Sequence, residues 1–139
     1  MPHAVGVYPD GYPGSLMRVG IDLVSVEKVV ESIRDHGGRY LERIYTEAEL
    51  RDCQGAEGIV PERLAARFAA KEAAIKVLRP TEEEAIPWHD IEVVRRPSGW
   101  VELELSGAAA GLAAQQGLGD FELSVTHEAG FAAAVVVAD

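Results

Sequence analysis

Cysteine is almost missing from this sequence. The single one, Cys53, excludes an intramolecular disulfide and any zinc site built on several thiolates. Long hydrophobic runs are missing too: none approaches the ~20 residues that a membrane-spanning helix needs. No membrane partner is therefore expected. The N-terminus lacks a basic region followed by an apolar one, so no signal peptide is expected, and a cytoplasmic location is the default. Positive charge is scarce, with 13 Lys+Arg against 23 Asp+Glu and a formal net charge of −10. That balance argues against nucleic acid as the main partner. Lysine is scarcest of all, limited to Lys28, Lys71 and Lys76. Two of these fall on one short stretch, which gives that stretch weight.

What is present suits one globular domain. The chain has 139 residues, 47% hydrophobic and 26% charged, enough for a real core. Residues 1–16, rich in Gly, Pro and Tyr, show no period and read as an irregular N-terminal extension of a domain over 17–139. "MRVGIDLV" (17–24) reads as a strand containing Asp22, and Ser25 as the N-cap of a helix over 26–36. "RYLERIY" predicts a short helix, and Thr46 with Glu49 a capping box for the next one. Pro61 suits the first turn of a helix running to about residue 79, which Pro80 stops. "WHDIEVVRR" and "WVELELS" predict a hairpin, Ser106 caps a small-residue helix, and "FELSVTH" with "GFAAAVVVA" predict a second hairpin. The order of elements gives an α+β class with antiparallel pairing dominant.

The long helix contains "RFAAKEAAIKVL". At 100° per residue, Leu64, Phe68, Lys71, Ile75 and Leu78 share one arc of about 80°. Glu72 and Lys76 lie on its flank, and alanines fill the rest. An alanine face means that another backbone packs close by, leaving little surface for water. An exposed Glu72–Lys76 pair would contribute only about 0.3–0.5 kcal/mol. Charges beside so closed a surface need pairing or a metal. Asp22, alone, reads as a strand-end aspartate. Together with Glu72 it offers two hard oxygen ligands from two rigid elements, and Mg²⁺ takes one or two carboxylates and completes its shell with phosphates. Lys76, one turn from Glu72, would face those phosphates as a point charge. His3, His36 and His89 show no metal-ligand spacing, and Cys53 has no strongly basic setting.

"GIDLVSVEKV", "RFAAKEAAIK" and "LSVTHEAGFAAAVVV" resemble the holo-acyl-carrier-protein synthases, the short 4′-phosphopantetheinyl transferases, over about residues 18–138. The resemblance implies that family's fold: an antiparallel sheet packed on a long central helix in a single domain. It implies Mg²⁺-dependent transfer of 4′-phosphopantetheine from coenzyme A to a serine of an apo acyl carrier protein, with release of adenosine 3′,5′-bisphosphate. It implies Asp22 and Glu72 as metal ligands, Glu72 and Lys76 as catalytic groups, and Arg67, Lys71 and His127 as coenzyme A contacts. Either Glu72 or a metal-bound water takes the serine proton. Lys28, Ile33 and Arg34 become docking candidates on the first helix, and the assembly a homotrimer with sites between subunits. Three stretches depart from the family pattern: "RPTEEEAIPWHD" replaces a Gly-rich loop, "SGW" replaces Gly-Lys-Pro or Gly-Arg-Pro, and Ser25 replaces a common acid. A non-catalytic module that binds the carrier or coenzyme A on the same fold is the alternative.

Overall fold

The computed structural model describes residues 17–139, and of the N-terminal extension the backbone pairing of β1 (Gly6–Val7) with β2 (Pro13–Gly14). The rest of the expected irregular arm lies outside the described residues. From Met17 onward the order is β3 (Arg18–Ser25), α1 (Val26–His36), α2 (Gly38–Ile44), α3 (Glu47–Asp52), β4 (Gln54–Gly55), β5 (Gly58–Ile59), α4 (Pro61–Leu78), β6 (Ile91–Arg95), β7 (Val101–Leu105), α5 (Gly107–Gln115), β8 (Phe121–Glu128) and β9 (Phe131–Ala138). Every described strand pair is antiparallel. No described helix is long and apolar enough to cross a membrane.

The main sheet runs β3–β9–β8, and α4 lies across it. Side chains of a strand alternate between faces. On β3 the alternation sends Gly20, Asp22 and Val24 toward α4, opposite the buried Val136, Ala134 and Ala132 of β9. It sends Val19, Ile21 and Leu23 outward. The close approach predicted from the alanine face is real. A Cβ on Gly20 would lie 2.1 Å from the Ala73 carbonyl oxygen. Ala65, Ala69, Ala70, Ala73 and Ala74 are all fully buried, as are Leu64, Val77 and Leu78. Each such large side chain contributes about 1.5–3 kcal/mol through burial.

The caps follow the sequence closely, with two corrections. Ser25, Pro61 and the Thr46–Glu49 box sit where expected, and Gly37 ends α1 with φ 53°. The α4 terminus is closed from outside. Arg18 donates to the Val77 carbonyl (3.0 Å) and to Gln116, and Gln116 donates to the Leu78 carbonyl (2.6 Å). A cation at a helix C-terminus also suits the helix dipole. The first correction concerns "WHD". Trp88–Asp90 forms a 3₁₀ turn, so the strand begins only at Ile91. The second concerns α5. Ser106 makes no capping bond; Asp90 accepts from the Ala108 amide instead, at 2.8 Å. A side chain from the preceding turn reached that orphan amide before the local serine did.

Candidate active site

Three of the expected residues converge. Asp22 faces α4 because of its parity on β3, and α4 turns Glu72 and Lys76 toward it. Lys76 Nζ donates to the Asp22 Oδ1 (3.2 Å) and to the Ile21 carbonyl (2.8 Å). The Asp22 side chain is mostly covered at 17% exposure, while that of Lys76 is half open at 53%. Burial pushes the Glu72 carboxyl above the ordinary glutamate value, the Asp22 charge pushes it further, and Lys76 opposes both. Two acids thus share one ammonium that is already bonded to Asp22. This donor set is short of positive charge and made of hard oxygens, which fits a divalent cation such as Mg²⁺. No set of three such ligands occurs among the described residues, so other oxygens would have to complete the shell.

Asp22 and Glu72 line a cleft of about 460 Å³ between β3, α1 and α4. Ser25, Lys28, Val29 and Ser32 supply one wall. Their i, i+3, i+4, i+7 spacing is one face of α1, about 10 Å long. Phe68, Tyr40 and Phe131 supply apolar and aromatic surface. The volume is in the range of small-molecule sites. Ile33 is partly buried against the core, and Arg34 is exposed, 3.6 Å from the Asp35 carboxylate.

The other expected residues lie elsewhere within the chain. His127 is exposed at the end of β8 and lines a second cleft, of about 470 Å³, with Glu62, Arg63 and Ala129. Phe131 borders both clefts. Arg67 is buried at 7% exposure; one terminal nitrogen donates to the Arg63 carbonyl, and its Nε has no partner. Lys71 corrects an expectation. It is fully buried, and Nζ donates to Glu49 Oε1 (2.8 Å), the Ile91 carbonyl (2.6 Å) and the Trp88 carbonyl (3.1 Å). An ammonium has three protons, and all three are committed inside the fold. Coenzyme A therefore finds no free donor on Lys71. Burial pushes this ammonium toward the neutral form, and Glu49 pulls it back. His89 is structural as expected, its Nε2 donating to the Glu42 carbonyl at 2.6 Å.

Sequence reasoning missed Glu49 as the partner of Lys71 and missed the aromatic lining of the cleft. The signal for Glu49 was present but already assigned: its role in the capping box accounted for it locally.

Comparison with known proteins gives the family and the fold. The family model described as the 4′-phosphopantetheinyl transferase superfamily matches residues 18–136. A curated holo-[acyl-carrier-protein] synthase of Koribacter versatilis is 45% identical over 124 residues, 88% of this chain and 97% of its own length. One from Salinispora arenicola is 40% identical, covering 89% of this chain and 98% of that protein. Among solved structures, the Helicobacter pylori holo-[acyl-carrier-protein] synthase in complex with coenzyme A superposes with TM-score 0.76 at 27% identity, over 88% of this chain and all 100% of that one. A Chronobacterium ammoniagenes synthase–coenzyme A complex gives TM-score 0.74 at 33% identity, over 88% and 96%. With the acid–acid–lysine cluster at the β3–α4 contact, these matches show that the chain belongs to the 4′-phosphopantetheinyl transferase superfamily, among the holo-[acyl-carrier-protein] synthases.

Proposed function

We propose that this enzyme transfers the 4′-phosphopantetheine group of coenzyme A to a serine of an apo acyl carrier protein, in a Mg²⁺-dependent reaction that releases adenosine 3′,5′-bisphosphate. The observation that carries the reading is the meeting of Asp22 and Glu72 at one cleft, with Lys76 bonded to Asp22 beside it. Asp22 and Glu72 would hold the Mg²⁺, which when bound supplies charge stabilisation for a pyrophosphate and for the departing bisphosphate. Lys76 has a donor to spare beyond Ile21 and Asp22 and brings a point charge to the same phosphates. The serine oxygen bonds to the phosphorus that bears pantetheine. The bond from that phosphorus to the bridging oxygen breaks, and the bisphosphate leaves with the electron pair. Glu72, the carboxylate that lines the cleft with Asp22, would accept the serine proton directly or through a water.

Coenzyme A contacts fall to Arg67 and His127. The unmatched Nε of Arg67 is a buried donor that a phosphate oxygen would satisfy. The carrier docks along α1, where Lys28 edges the cleft and Ile33 and Arg34 follow it. The enzyme works in the cytoplasm as a homotrimer built through the outer face of the β3–β9–β8 sheet. Leu23 and Phe131 support that arrangement, because they are exposed and also line the cleft. A neighbour seated there would meet the cleft rim and bring its own side chains to it.

The test is incubation with coenzyme A, Mg²⁺ and several apo carrier proteins, followed by mass spectrometry of the carrier. A mass increase equal to phosphopantetheine is expected, dependent on Mg²⁺. Binding of coenzyme A with no transfer to any carrier would favour the non-catalytic module.

A further inference from the structure

We propose that Glu49, acting through Lys71, is a positioning residue: the pair fixes the rotation of α4 about its axis and so the placement of Glu72 and Lys76 against Asp22. The inference rests on the transferase reading above and adds to it a residue from a helix that has no side chain in the cleft.

The pair is buried and fully satisfied. Both side chains have 0% exposure. Glu49 Oε1 accepts from Lys71 and from the Thr46 amide (2.8 Å), and Oε2 accepts from the Val93 amide (2.9 Å). Lys71 uses its remaining protons on Ile91 and Trp88. One ion pair therefore joins α3, α4, the Trp88–Asp90 turn and β6.

Stability alone does not account for it. Desolvating both charges offsets most of their attraction, and apolar residues of similar volume commonly hold a core as well. What hydrogen bonds add is direction. On the sheet side of α4 the directional bonds come late in the helix, from the half-exposed Lys76 to Ile21 and Asp22 and from Arg18 to the Val77 carbonyl; the alanines let the sheet approach closely, but such short side chains make shallow ridges. A rotation of ~10° would move a group ~6 Å from the helix axis by ~1 Å. Catalytic groups tolerate only about 0.5 Å. Lys71 and Glu72 are consecutive, so a clamp on the first fixes the direction of the second.

The test compares the native chain, the double variant Glu49→Gln/Lys71→Met and the single variant Glu49→Asp. Thermal melts report folding, steady-state assays report kcat and KM, and electron paramagnetic resonance reports the affinity for Mn²⁺ in place of Mg²⁺. The double variant is expected to melt cooperatively and keep its KM for coenzyme A within about threefold. Its kcat is expected to fall by about tenfold or more, with Mn²⁺ binding weakened about fivefold, as misplacement of groups rather than loss of contacts predicts. A cooperative double variant with native kcat and native Mn²⁺ affinity overturns the proposal. If the double variant does not fold, Glu49→Asp decides. It keeps the charge and withdraws it by one methylene, so kcat should fall at constant KM, and a native kcat overturns the proposal. A native protein that transfers nothing removes the transferase reading, and the clamp then stands or falls on Mn²⁺ affinity alone. A native protein that neither transfers nor binds Mn²⁺ overturns both.

Discussion

Glu72 joins two properties that oppose each other. Its carboxyl titrates above the ordinary glutamate value of 4.5 because of partial burial and the Asp22 charge. A raised carboxyl pKa means that the folded state holds the proton more tightly than the unfolded chain does. That contribution to stability is complete below the unfolded value and is lost as pH rises through the folded one. At neutral pH the ionised Glu72 is thus a mild liability, softened by solvent because the group is only partly buried. On the proposed mechanism Glu72→Gln should lower transfer activity by at least about 10²-fold, since it would remove a metal ligand and a proton acceptor together. The same substitution should raise Tm slightly at pH 7 and progressively less toward pH 4. Added Mg²⁺ should raise the native Tm and leave the variant unmoved. Melts of both proteins across that pH range, with and without Mg²⁺, check all three outcomes. That Asp22, Glu72 and Lys76 meet was legible in the sequence because strand parity and helical spacing are local rules. Lys71 was not: its position on the helix was readable, but its partner stands on another helix and was already explained by a cap.

At the scale of elements, the site depends on how near β3 comes to α4. Gly20 sets that distance. Gly20→Ala would drive a Cβ into the Ala73 carbonyl and against Val77 Cγ2, the latter at 3.1 Å. The first neighbour is backbone, so the strand or the helix must move. The expected cost is about 1–3 kcal/mol, typical of overpacking, read as a lower urea midpoint. Activity should fall further than stability, because Asp22 is two residues along the same strand. Helices α1, α3 and α4 were legible from their caps and apolar stripes, since those signals lie within a few residues. The α5 cap was not, because its donor is satisfied by a side chain across a turn and not by the serine beside it. Asp90→Ala should therefore cost about 0.5–2 kcal/mol and Ser106→Ala much less. Chemical denaturation of the two variants checks the order; an equal loss in both would return the cap to Ser106.

The whole molecule presents one surface that a lone chain does not explain. Met17, Val19, Ile21 and Leu23 form an outward row with exposures of 60, 64, 62 and 65%. Val137, Val135 and Ala133 of β9 stand beside Val19, Ile21 and Leu23 in the ladder; β8 adds the polar Glu122, Ser124, Thr126 and Glu128 along one edge, and Ser25 ends the β3 row. A contiguous apolar sheet face of this kind marks an interface on a soluble protein. The net charge of −10 makes a second copy repel at long range, but the face itself carries little charge, and salt screens the rest over about 8–10 Å. Burial of the face should therefore win at physiological ionic strength, and assembly should weaken when salt is removed. Val19→Asp puts a carboxylate into the row without touching the cleft lining. Sedimentation should show the native chain as a trimer and the variant as a monomer with a preserved fold. Transfer activity should fall with the loss of assembly, because Leu23 and Phe131 join the face to the cleft. A native chain that sediments as a monomer at micromolar concentration, or a variant that stays assembled, would refute the interface.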